Sequence, residues 1–186
     1  MSTGDCSREL FSQHFLGPSA GHGPVHNEEI LGLAVFGVLR DARAGLIPSD
    51  LQSKRLRRSE LSVARLKYTT RAIFLDKVVR PEDGNKRGLL GIATALTQDI
   101  RGLTYVVEGV IPKKSGRALC VLDIVVEGDY EGHAAFGYSE SMEPLKDGQK
   151  SRIRLVIQND LIRLFGCVKD IDKIDFAPSL LSLIHI

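Results

Sequence analysis

Tryptophan is absent from this chain, and seven Phe with four Tyr are its whole aromatic supply. The core must therefore be built mainly from Leu, Ile, Val and Ala. No apolar run approaches the roughly 20 residues that cross a bilayer as a helix, so no membrane partner is expected. The opening residues, MSTGDCSREL, lack the basic start and following apolar stretch of a secretory signal. Cysteine is scarce too: Cys6, Cys120 and Cys167 are odd in number and far apart. That usage predicts free thiols, inert and buried at Cys120 and Cys167, in a cytoplasmic protein rather than a disulfide-framed one. No GxSxG elbow, GxxxxGK[ST] phosphate loop or GxGxxG fingerprint occurs, which argues against nucleotide-driven chemistry and the common serine-hydrolase arrangement.

What is present is an ordinary globular composition, with 43% hydrophobic and 26% charged residues in 186, enough for one domain with a real core. Net charge is only +2, but it is uneven. Between Asp50 and Arg71 stand seven bases (Lys54, Arg55, Arg57, Arg58, Arg65, Lys67, Arg71) against two acids, a local +5 that leaves −3 for the remainder. A basic surface on a nearly neutral body suits nucleic acid or an acidic protein partner; a solvated helix face is the plainer reading.

Along the chain, residues 1–26 are rich in Gly, Ser, Pro and His and read as a flexible arm, followed by a single α+β domain over 27–180. From Asn27, a capping residue, two acids in the first turn and apolar residues at Ile30, Leu31, Val35, Val38 and Leu39 predict a largely buried helix ending near Gly45. Pro48, Ser49 and Asp50 open a second, short helix with Leu51 and Leu56 as its apolar positions. RAIFLDKVV is strand-like from about Ala72, and LLGIATALTQDIRG has helical spacing up to Gly102. LTYVVEGVI, RALCVLDIVVE and HAAFGYSE read as antiparallel strands. SRIRLVIQNDLIRLFG, with apolar Ile153, Val156, Ile157, Leu161 and Leu164, reads as a closing helix ended by Gly166. The order predicts one antiparallel or mixed sheet of about four strands, with N-terminal helices and helices packed on one face.

The densest chemistry lies in DIVVEGDYEGH. Asp123, Glu127, Asp129 and His133 could hold a divalent metal or serve as an acid–base set for a hydrolase or nuclease, with a polar hairpin turn as the plainer reading. A two-strand nuclease pattern would want Lys at position 129, which is Asp129. His14, His22 and His26 with Glu28 and Glu29 offer imidazoles enough for zinc, though on an arm rich in Gly and Pro. PSDLQSKRL followed by SELSVARL departs from a helix-turn-helix because Arg57 and Arg58 stand where a small turn residue belongs.

LSV at 61–63, RGLLGIATA at 87–95 and GHA at 132–134 resemble landmarks of small uncharacterised bacterial proteins, a resemblance that implies no activity and draws attention to Arg65, Arg87 and His133. The last six residues, LSLIHI, resemble the translation of a sequencing-library adapter, which would make 181–186 a non-native tail. Two functional readings follow. One is an accessory or interaction protein binding nucleic acid or an acidic partner through 54–71. The other is a metal-dependent hydrolase or nuclease using Asp123, Glu127, Asp129 and His133.

Overall fold

The computed structural model describes residues 6, 9, 24–37, 45–51, 53–58, 61–78, 88–109, 113–124 and 132–178. Among them the fold is mixed α and β. A five-stranded antiparallel sheet runs in the order β3-β1-β2-β7-β6. Its strands are β1 (Ile30–Phe36), β2 (Leu61–Arg65), β3 (Leu89–Leu96), β6 (Leu119–Asp123) and β7 (His133–Tyr138), and β4 (Thr104–Val107) with β5 (Lys114–Arg117) forms a separate two-stranded sheet. The helices are α1 (Ser53–Arg58), α2 (Arg71–Ile73, continuing as a wider turn over Phe74–Val78), α3 (Thr97–Gly102) and α4 (Asp147–Phe165).

The expected helix from Asn27 is instead β1. Its segment, ILGLAVF, is apolar at almost every position, and a short apolar run reads equally as a buried helix or as a strand covered on both faces. The sheet is covered on both. Leu31, Leu33 and Val35 enter the main core beneath α1, α3, α4 and the small sheet, together with Leu56, Ile100, Tyr105, Ile157 and Leu161. The opposite face, carrying Ala64 and Ile92, is covered by Phe74 and by Ile171, Ile174 and Phe176 of the C-terminal segment. Gly32 sits on that second face, where an added Cβ would lie 2.8 Å from Leu66.

Three further expectations are corrected. The helix read over LLGIATALTQDIRG is a strand as far as Leu96 and a helix only from Thr97. The strand expected from Ala72 is helical, and Phe74 plugs the second core there, with its ring 5.5 Å from that of Phe176. The strand in that region is LSVAR, β2, one position of which is the buried Arg65. Helix placement fits only roughly, since α1, α3 and α4 cover one face while α2 carries Phe74 onto the other, and the sheet has five strands rather than about four.

α4 matches its prediction most closely. Ile157, Leu161 and Phe165 recur at helical spacing on its buried side, and Gly166 ends it at φ 61°. Val156, read as inward, is 58% exposed. The chain then turns back along the edge strand β3, where Ile92 and Lys169 exchange two backbone hydrogen bonds of 2.9 Å. Gly91 permits this approach, since a Cβ there would fall 2.3 Å from the Lys169 carbonyl oxygen.

The other edge, β6, is held by the arm. Cys6 is disulfide-bonded to Cys120, their Cα atoms 5.6 Å apart, and the Val121 N–H donates to the Glu9 carboxylate at 2.6 Å. The expectation of free thiols fails here because the partners are separated by 114 residues. Cys167 is free but exposed, just past the end of α4, rather than buried. Among the described residues no helix is long and apolar enough to cross a membrane. The arm residues 10–23, the loop 125–131 and the segment 179–186 lie outside the described residues.

Candidate nucleic-acid interface and buried ion cluster

A 3-10 turn over Pro48–Leu51 leads into α1, and Ile47 N–H donates to the Asp50 carboxylate at 2.7 Å to close it. Leu51 and Leu56 are fully buried and fix the rotation of this short segment. The remaining face of α1 then has to carry Lys54, Arg55, Arg57 and Arg58, all exposed. No carboxylate among the described residues pairs with any of the four. Four uncompensated cations on six residues concentrate positive potential at one end of the sheet.

The other three bases of the predicted set are not part of this surface. Lys67 is exposed beside the Tyr68 ring, at 5.3 Å, and Arg71 pairs with Asp172 at 2.5 Å. Both lie beyond the far end of β2, whose five residues put about 13 Å of strand between them and α1. Arg65 is fully buried and unavailable to a ligand.

Arg65 organises the opposite end of the main core. It donates from Nε to Glu29 Oε2 at 2.7 Å and from Nη2 to Glu29 Oε1 at 2.8 Å, while Nη1 lies 3.3 Å from the Asp123 carboxylate. Its guanidinium also stacks 4.6 Å from the Tyr68 ring centroid. Glu29 lies just ahead of β1 and Arg65 ends the neighbouring β2. Asp123 ends β6 and pairs with Ala134, which in turn pairs with Val63 of β2. Alternation thus points all three into the same core. Burial acts to raise the Glu29 carboxyl, but Arg65 and the His26 N–H outweigh it and hold Glu29 below its ordinary value. Burial likewise acts to lower Arg65, and its two carboxylates more than reverse this.

Of the acid–imidazole set, Glu127 and Asp129 lie outside the described residues, and Asp123 and His133 do not converge. Asp123 shares a face with Ala134, so His133, one residue earlier in β7, points to the other side of the sheet. There its Nε2 lies 2.6 Å from Ser62 Oγ. One divalent ion cannot be held by both Asp123 and His133, and Asp123 already faces a guanidinium. Cys6, Glu9 and Cys120 do bring potential ligand atoms within 4.8 Å of one another. They suit a metal poorly, because the sulfurs are bonded to each other and Glu9 is taken by Arg117 and by Arg101. Of the three histidines of the arm, His26 is exposed and the other two lie outside the described residues.

Sequence reasoning missed a group beside α1. Tyr138 ends β7 on the core face, two residues past Phe136, which pairs with the first residue of β2. It therefore emerges where α1 delivers the chain to β2. The ring is 8% exposed, and its hydroxyl is buried without a hydrogen-bond partner. Arg154 of α4 lies over it, guanidinium carbon 5.3 Å from the ring centroid, with its own Nε buried and unpartnered. Burial pushes the phenol up to about 12, against the pull of Arg154 and Arg57. Only an unusual Tyr at the end of a strand, with Arg at 57 and 154, hinted at this in sequence. No family model, curated protein or solved structure matches the chain.

Proposed function

We propose that this protein is a non-enzymatic accessory protein that binds nucleic acid through the exposed face of α1. The observation that carries the reading is the set of four exposed cations, Lys54, Arg55, Arg57 and Arg58, on a six-residue helix with no carboxylate partner among the described residues. Three of the four are arginine, whose planar fork matches phosphate oxygens bidentately. A backbone of regularly spaced phosphates supports the use of several such groups at once.

Four phosphate contacts give a slope of about −3.6 in log affinity against log salt on duplex DNA, so affinity falls roughly a hundredfold between 50 and 200 mM salt. The test is fluorescence anisotropy of labelled duplex and single-stranded oligonucleotides, on the wild type and on a variant with all four bases changed to Gln. Exposed positions of this kind tolerate substitution within about 0.5 kcal/mol each, so the variant should fold. The reading expects weakened binding and a flatter salt slope in the variant. Equal binding by both proteins, or binding of poly-glutamate in preference to either oligonucleotide, refutes it.

A second reading, a small hydrolase, rests on the Ser62 Oγ to His133 Nε2 contact of 2.6 Å. A hydroxyl within hydrogen-bond reach of an imidazole is the minimum for an activated nucleophile. It replaces the metal-dependent grouping of Asp123 with His133.

A further inference from the structure

We propose that Tyr138 and Arg154 form a seat for a single phosphate group at the inner margin of the α1 surface. The inference rests on the nucleic-acid reading for the source of that phosphate, but the seat itself stands on separate observations.

The first is an unsatisfied pair of donors. The Tyr138 hydroxyl and the Arg154 Nε are both buried without a hydrogen-bond partner, although buried polar groups in folded proteins are nearly always paired. Leaving a donor unpaired costs about 1–3 kcal/mol, a penalty that a ligand oxygen relieves. The second is their common location. Arg154 covers the Tyr138 ring, and the charge of Arg57 reaches the same phenol from α1. A guanidinium and a phenolic O–H therefore share one spot beside α1, each able to donate and one carrying full positive charge. No carboxylate of the described residues pairs with Arg57 or Arg154. The matching ligand is a compact oxyanion with several acceptor oxygens, as in phosphate.

Topology explains why the seat lies here. α1 ends three residues before β2 begins, β7 runs alongside β2, and Tyr138 overshoots the start of β2 by two residues. Arg154 of α4 thus lies over the end of β7, the strand against which α1 packs. A phosphate in this seat would be continuous with the row of exposed bases on α1. The seat would anchor one backbone phosphate while Lys54, Arg55 and Arg58 follow the adjoining ones.

The experiment uses the full chain and two probes, inorganic phosphate and a labelled oligonucleotide, against the wild type, Tyr138→Phe and Arg154→Gln. Tyr138→Phe keeps the ring and removes only a hydroxyl that has no partner, so the free protein should melt at the same temperature or slightly higher. Phosphate should raise the melting temperature of the wild type, and its affinity by calorimetry should fall roughly tenfold in Tyr138→Phe. Sulfate should compete. Equal phosphate affinity in the wild type and in both variants overturns the seat, as does no phosphate binding by the wild type. Loss of the seat with oligonucleotide binding intact leaves the α1 reading standing. Phosphate binding that depends on Tyr138, with no oligonucleotide binding, keeps the seat as a site for free phosphate and removes the nucleic-acid reading.

Discussion

The buried ion cluster gives the most quantitative test of the fold. Arg65 is fully buried, makes two short bonds to Glu29 and lies 3.3 Å from Asp123. Changing Arg65→Met keeps much of the side-chain volume and removes the charge, leaving two core carboxylates without their cation. Breaking one side of a buried pair costs about 3–5 kcal/mol, which in a domain of this size lowers the melting temperature by roughly 6–20 °C. The loss should depend on pH in a defined direction. In the wild type the Glu29 carboxyl is held below its ordinary value of 4.5. Its contribution is therefore present above pH 4.5 and fades as the medium is acidified through the lowered folded value. Without Arg65, burial becomes the dominant influence and raises Glu29 above its unfolded value. The variant is then penalised most near neutrality, and less as acid protonates Glu29. The difference in stability between wild type and variant should accordingly narrow from pH 7 to pH 4, measured by urea denaturation followed by circular dichroism. The double variant Arg65→Met with Glu29→Gln should recover part of the loss. A cost below 1 kcal/mol, or a difference that does not change with pH, would show that the cluster does not hold the sheet ends together as the geometry implies.

Two further outcomes follow from the covalent and catalytic groups. If the Cys6–Cys120 bond forms in the cell, lysis into an alkylating reagent followed by mass spectrometry should find one labelled thiol, Cys167; three labelled thiols would place the protein in a reducing compartment with the arm untethered. If Ser62 and His133 act as nucleophile and base, activity against ester and phosphodiester probes should fall by at least about a hundredfold in His133→Ala and be insensitive to chelators; no activity in the wild type, or activity unchanged in Ser62→Ala, removes the hydrolase reading.

How much was legible varies by element, and the reason is consistent. α4 could be read because Ile157, Leu161 and Phe165 recur on one side at helical spacing and the other side is wet, even though Leu155 and Val156 are exposed there, so the 3.6 period survives in the sequence. β1 and β3 could not, because a sheet packed on both faces needs apolar residues everywhere and erases the alternation that marks a strand. RAIFLDKVV favoured a strand by composition, yet the second face needed Phe74 inserted from a helical turn. Composition lost to packing there.

At the candidate sites the same division holds. The chain alone determined that its positive charge is concentrated near residue 54 and that its core is aliphatic, because those are properties of composition and of near neighbours. It also fixed which residues of α1 face outward, since Leu51 and Leu56 leave the bases no other side. Only the tertiary structure decided that Arg65 leaves the basic set to join Glu29 and Asp123, and that Asp123 and His133 stand on opposite faces. It alone joined Cys6 to Cys120 and laid Arg154 over Tyr138. Each of these depends on strand pairing or helix packing across tens of residues, and sheet order and register are set by the burial of two faces at once.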